Sequence, residues 1–416
     1  MPVPDPYAAL RIPEYRRFIS ARVFITIAIQ IQAVVVGWQV YELTKDPLSL
    51  GLIGLAEALP SIAVSILGAG HVADFVHRKK IIVITVAALL GCSAALLLFT
   101  TDPGAFVFKW GVIPIYSVIF VSGIARGFLS PAVFSFMPQL VPRELYQNAI
   151  TWNSTLWEAA SITGPAIGGL VYGFFGITAA YALDASLVLA GLTLIFFIQK
   201  KPLPPAAEED VGMLNKLTAG FRFVFQNKLI LSAITLDLFA VFFGGAVALL
   251  PFFADEILHV GAIGLGFLRC APSIGAVMMA FYVTHYPIRK NMGKTLLWAV
   301  AGFGACMICF AISENFWLSL SLLILSGVFD CVSVIIRGSL MQTLTPENMK
   351  GRVSAVNYIF IGSSNELGMV ESGFAAKLFG LIPSVIFGGL MTIGVVAATA
   401  WLSKSLRQLQ NLDKET

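Results

Sequence analysis

Polar positions interrupt long apolar stretches at near-regular intervals along this chain, and no stretch alternates with period two. Runs long enough to cross a hydrocarbon layer of about 30 Å lie near residues 20–42, 48–69, 80–101, 112–136, 148–172, 176–198, 229–253, 262–285, 294–312, 316–340, 352–376 and 382–403. Continuous apolarity without alternation fits helices and not barrel strands. The pattern therefore predicts an all-α membrane protein of twelve transmembrane helices. One long polar stretch, residues 199–228, holds Pro202, Pro204 and Pro205, then Glu208, Glu209 and Asp210, then the amphipathic GFRFVFQNK. It predicts a linker with an interfacial helix, between a six-helix bundle over 1–198 and a second over 229–416.

The two bundles are related. RGFLSPAVFSFMPQLVPRELYQNAITWNSTLWEAASITGPAIGG begins at Arg126, and DCVSVIIRGSLMQTLTPENMKGRVSAVNYIFIGSSNELGMVESG begins at Asp330. Pro142, Asn153 and Gly164 match Pro346, Asn357 and Gly368 at a constant offset of 204 residues. Pro60-Ser61-Ile62 matches Pro272-Ser273-Ile274 at an offset of 212. A repeat of this kind predicts two halves about a pseudo-two-fold axis along the membrane normal.

Composition narrows the class. The chain is 57% hydrophobic and 12% charged, far below the roughly 25% charge that a soluble surface requires. Of 27 Lys and Arg, only Lys45, Lys109 and Lys377 fall on one side, and Arg126, Arg269 and Arg337 sit within helices. The remaining 21 gather on the other side, which predicts that both termini are cytoplasmic. The net charge of +4 is thus a topology signal, and no nucleic-acid partner is expected. Met1–Arg17 lacks the form of a cleaved signal. The five cysteines all lie in apolar runs, and Cys306-x-x-Cys309 has no histidine nearby, so neither metal nor cofactor is expected. No nucleophile elbow or phosphate loop appears, so the chain is not expected to be an enzyme.

Two motifs carry a resemblance. Gly70-His71-Val72-Ala73-Asp74-Phe75-Val76-His77-Arg78-Lys79-Lys80 resembles the GxxxDRxGR[RK] loop of the major facilitator superfamily. Gly70, Asp74, Arg78 and Lys79 match, whereas Phe75 and His77 replace the usual Arg and Gly. Gly164-Pro165-Ala166-Ile167-Gly168-Gly169 is similar to the GPxxGG signature of that superfamily's proton-antiporting exporters. TLDLFAVFFGGAVALLP and SNELGMVESG resemble the branch with the enterobactin exporter and macrolide efflux proteins. The resemblance implies a fold of two six-helix bundles, a cytoplasmic gate at the first motif, and export. Pro165 has no N–H to give residue 161, so a kink at Gly164-Pro165 is expected, with the glycines admitting a neighbouring helix.

Ionisable residues inside the spans cost roughly 2.5–3.5 kcal/mol each unless paired or wetted. Ten are counted: Glu57, Arg126, Glu158, Asp184, Asp237, Arg269, Asp330, Arg337, Glu366 and Glu371. The repeat places Arg126 at the position of Asp330 and Glu57 at that of Arg269. Arg126 is expected to pair either with Asp330 across a central cavity or with Glu158 in its own half. Proton-coupling candidates are Glu158 and Glu366, then Asp237 and Glu371, since the four histidines sit in or near loops. Cavity candidates are Arg126, Asp330, Glu57, Arg269, Arg337, Asn365, Trp157 and Tyr358, with Trp38, Trp152 and Phe360 as further aromatics. The expected function is export of a small siderophore-like or drug-like molecule across the bacterial inner membrane. Alternating access and proton antiport would drive it, and the expected partners are cargo, protons and membrane lipids around a monomer. A lipid or lysolipid flippase and an uptake symporter of the same fold are the alternatives.

Overall fold

The computed structural model describes residues 5–67, 76–101, 110–201, 213–286, 288, 290–346 and 349–410. Its helices are α1 (Pro13–Thr44), α2 (Pro47–Leu67), α3 (Arg78–Thr101), α4 (Ile113–Phe136), α5 (Tyr146–Phe196), α6 (Met213–Gln226), α7 (Lys228–Gly244), α8 (Gly261–His285), α9 (Met292–Ile312), α10 (Phe316–Leu344), α11 (Lys350–Phe379), α12 (Leu381–Leu402) and α13 (Lys404–Gln408). Short helical turns continue α7 through Ile257. Among the described residues, ten helical segments are long and apolar enough to span a membrane. One is the 51-residue α5, which holds the expected fifth and sixth spans. The expected eleventh span coincides with α11, which is 30 residues long and stands outside that set.

Local chemistry explains the ends. Asn227 caps α7 by accepting from the N–H groups of Leu229 and Ile230, both at 3.1 Å. Asn315 caps α10 through the Leu318 N–H at 3.1 Å. Gly176 breaks α5 with φ 82° and ψ 177°, a conformation that an L side chain resists. Gly380, its equivalent at the 204-residue offset, separates α11 from α12 with φ 92° and ψ 164°. The backbone stays helical through Gly164-Pro165, and the non-helical residue within α5 is Gly176, between the expected fifth and sixth spans.

Contacts divide the chain into two compact units: residues 1–44 with 56–208, and residues 45–55 with 209–416. The first turns of α2 and the amphipathic α6 thus belong to the second unit. In the first unit α1 packs along α5, where the Tyr15 hydroxyl donates to the Ala149 carbonyl at 2.7 Å and Tyr181 donates to Gln39 Oε1 at 2.6 Å. Its core includes Phe18, Ile82 and Phe136. The second unit has one core around Leu236, Leu296 and Ile336, and another under α6 around Val224, Ile230 and Val353.

The repeat recurs in backbone contacts. A methyl built on Gly123 of α4 would meet Glu57 O of α2 at 2.4 Å and Pro60 Cγ at 2.8 Å. Gly327 of α10, its equivalent, would meet Pro272 O of α8 at 1.9 Å, and Pro272 is the equivalent of Pro60. Gly164 presses on Gln30 of α1, and its equivalent Gly368 presses on Phe242 of α7. Small residues let helices close where lipid supplies no hydrophobic force between them.

These contacts set a stability prediction. Gly327→Ala should lower the thermal midpoint of the purified protein by the equivalent of about 1–3 kcal/mol, because the new methyl meets backbone. Gly362→Ala, where nothing lies within 4 Å, should be neutral or raise it by up to about 1 kcal/mol.

Candidate functional site

In the first unit the close approach at Gly123 puts Arg126 of α4 against α2. Its guanidinium makes an ion pair with Glu57, and Nη2 donates to Gln32 Oε1 of α1 at 3.4 Å. Arg126 therefore takes Glu57, where the sequence offered Asp330 or Glu158. Asp184, 1% exposed, bonds to Ser93 within electrostatic reach of Arg126. Five helices, α1 to α5, thus contribute to one polar cluster inside an otherwise apolar core.

A second polar group lies nearer the Lys- and Arg-rich end of the same unit. Arg22 of α1 donates to Asn153 Oδ1 of α5, and the two share a small crevice with Thr26 and Trp157. Trp157 is 48% exposed. Glu158, the next residue, is half-buried and has no hydrogen-bond or ion-pair partner among the described residues. Sequence reading passed over Arg22 by tallying it with the surface cations. Its place inside the apolar run that starts at residue 20 was the available signal.

In the second unit Asp237 of α7 and Arg337 of α10 form a buried ion pair, with side chains 8% and 4% exposed. Ser333 Oγ donates to Asp237 at 3.4 Å. The sequence placed Asp237 among proton-coupling candidates and Arg337 among cavity candidates, and the structure brings the two together. Asp330 of α10 and Glu371 of α11 are half-buried and, like Glu158, without a partner among the described residues. Arg269 and Glu366 are half-buried on α8 and α11. Asn365 is exposed and donates to its own helix at Ile361 O, 3.0 Å. The Tyr358 side chain lies outside the described residues.

Several aromatic candidates make specific contacts. Trp38, 5% exposed, donates to Glu42 at 2.7 Å, and Tyr172 donates to the other oxygen of Glu42 at 2.7 Å. Trp152 donates to Pro6 O at 2.8 Å, holding the N-terminal arm. Phe360 packs on Phe221 of α6, centroids 6.2 Å apart. A cavity of about 550 Å³ bordered by Trp298, Gly302, Phe329 and Ile393 is apolar, and no candidate residue lines it.

The gate motif is partly visible. Gly70 and Asp74 lie outside the described residues. Arg78 donates to Ser135 O of α4 at 3.0 Å, and Lys79 donates to Phe196 O at 2.8 Å and to Ile198 O. Both cations cap helix C-termini, where unsatisfied carbonyls attract positive charge. Of the exporter motif, Gly164 and Gly168 receive α1 at Gln30 and Ile31, and Pro165 and Gly169 are buried.

At the opposite end, Lys45 reaches Asp255 at 3.0 Å and Lys377 reaches Asp46 at 3.3 Å. Two of the three lysines on the sparsely basic side are thus neutralised. Burial alone would raise the Asp46 carboxyl, but hydrogen bonds from Ser49 and Lys377 and the Lys377 charge outweigh it and hold the group below its ordinary 3.8.

A membrane protein of helices joined by glycine contacts, with its charges sheltered in pairs and pockets, belongs to the transporter class. Solved structures agree on the fold. A POT family transporter in complex with 5-aminolevulinic acid superposes with TM-score 0.74 at 11% identity, covering 94% of this chain and 96% of that one. A bacterial homologue of ferroportin in an inward-facing state gives 0.71 at 15%, covering 96% and 99%. The transmembrane secretion effector model matches residues 4–416, so the chain belongs to that family of the major facilitator superfamily. It is 26% identical over 397 residues to the enterobactin exporter EntS of Shigella boydii, covering 92% of this chain and 91% of the relative. The EntS protein of Escherichia coli O1:K1 is 25% identical over 395 residues, covering 92% and 91%. The chain is a multi-pass membrane transporter and not an enzyme.

Two predictions follow from the ion pairs. Arg337→Met strands a buried carboxylate and should cost about 3–5 kcal/mol, whereas Arg337→Met with Asp237→Leu should recover most of it. Thermal midpoints of the purified variants measure both. For Asp46 the sign is that of a depressed carboxyl: its contribution is present above the unfolded pKa and is lost as pH falls through the folded one. Asp46→Asn should therefore lower the midpoint at pH 7, and the difference should shrink as the pH falls below 3.8 and through the folded pKa. The loss should stay below about 1 kcal/mol, because Lys377 is 52% exposed.

Proposed function

We propose that this protein exports a small organic molecule, siderophore-like or drug-like, across a bacterial inner membrane by alternating access in exchange for protons. Both termini and the linker then lie in the cytoplasm, where most of the Lys and Arg gather. The observation that carries the reading is Glu158, a half-buried carboxylate without a partner, beside the exposed ring of Trp157 and on the same helix as Asn153, which holds Arg22. An acid and an aromatic face within two turns of α5, with a cation of α1 held at Asn153, suit a polar aromatic cargo and a site that takes up and releases a proton. The exporter names of the relatives support the direction and the siderophore-like cargo.

The test uses inside-out vesicles energised by respiration and a panel of catecholate siderophores and macrolides. A transported compound should collapse part of the pH gradient, and Glu158→Gln should remove at least about 90% of that response at equal protein level. Compounds that accumulate with no proton movement, or a Glu158→Gln response equal to wild type, would overturn the antiport reading through this residue.

A further inference from the structure

We propose that Arg269 and Asp330 are the charge-reversed counterpart of the Glu57–Arg126 pair, and that Asp330 is a binding site for a positive charge which Arg269 discharges by closing on it. The observation is geometric. In the first unit, α2 and α4 touch where Gly123 presses on Pro60, and the ion pair lies one turn from that contact, at Glu57 and Arg126. In the second unit, α8 and α10 touch at the equivalent Gly327 and Pro272. Asp330 follows Gly327 by the same three residues that separate Arg126 from Gly123, and Arg269 precedes Pro272 by the same three that separate Glu57 from Pro60. Residues three apart share a helix face, so the acid is presented toward α8 as Arg126 is toward α2.

The two units differ in what has been made of this arrangement. Glu57 and Arg126 are joined, and their charge cancels. Asp330 is half-buried and has no hydrogen-bond or ion-pair partner among the described residues, while Arg269 has contacts of its own elsewhere. A carboxylate within a span and without a counter-charge must acquire one. The ligand is a cationic centre, either a proton or an organic ammonium on the cargo. When the Arg269 guanidinium leaves its present contacts and reaches Asp330, it supplies the positive charge itself. The bound cation departs, and the net charge around the carboxylate is unchanged.

The inference rests on the transport reading only for the use made of the cation, so its test is a binding assay that needs no transport. Tetraphenylphosphonium, a lipophilic cation without a proton to give, is titrated into the purified protein by calorimetry. A pH-indicator dye in weak buffer reports protons released. Asp330→Asn should weaken binding on the order of tenfold, Arg269→Gln should tighten it by a similar factor, and Asp330→Glu should restore it. Proton release on binding marks a proton as the resident cation, and binding without release marks a site kept for the cargo's ammonium; both support the proposal. A pair that merely braces the helices would lose binding in both variants, and that outcome, or no change with Asp330→Asn, would overturn it. Disulfide formation between Arg269→Cys and Asp330→Cys, with the native cysteines replaced, checks the approach itself, and its absence under oxidant would also sink the idea.

Discussion

An ionised side chain cannot be left facing hydrocarbon, and this constraint orders the protein. Its spans carry charges that would each cost several kcal/mol if exposed to lipid. The chain meets the constraint in three ways. Arg126 with Glu57 and Arg337 with Asp237 form direct pairs. Asp184 is enclosed beside Ser93. Glu158, Asp330 and Glu371 are half-buried with no partner among the described residues. The first two solutions build a scaffold.

Pairing of this kind requires helices close enough for side chains to reach across, and the glycines provide that. Gly123 and Gly327 bring α4 onto α2 and α10 onto α8 until backbone meets backbone or ring. Gly164 and Gly368 do the same for α5 on α1 and for α11 on α7. A motif known for marking exporters therefore has a plain mechanical content here: it removes side chains where two helices must touch. The Glu57–Arg126 pair sits one turn from the contact at Gly123 and Pro60.

Much of the fold was legible from the sequence because it is written in long signals. Apolar runs gave the spans, the lysine and arginine bias gave an expected orientation, and the offsets of 204 and 212 aligned residues that occupy equivalent contacts in the structure. The site was less legible. Arg126 was expected to pair with Asp330 or Glu158, since alignment identifies equivalent positions and not neighbours; Glu57 becomes its partner only through the packing of α2 on α4. The pairing of Asp237 with Arg337 likewise emerges only from the packing of α7 on α10. Arg22 was hidden among surface cations because charge counting ignores depth. The turn between the fifth and sixth expected spans falls at Gly176, where φ is positive.

The turns at Gly176 and Gly380 leave almost no slack in the polypeptide. Each joins two membrane crossings through a single left-handed residue. Consecutive spans coupled this tightly cannot slide or rotate independently; displacement of one drags the next. Each such hairpin therefore moves as one stiff lever.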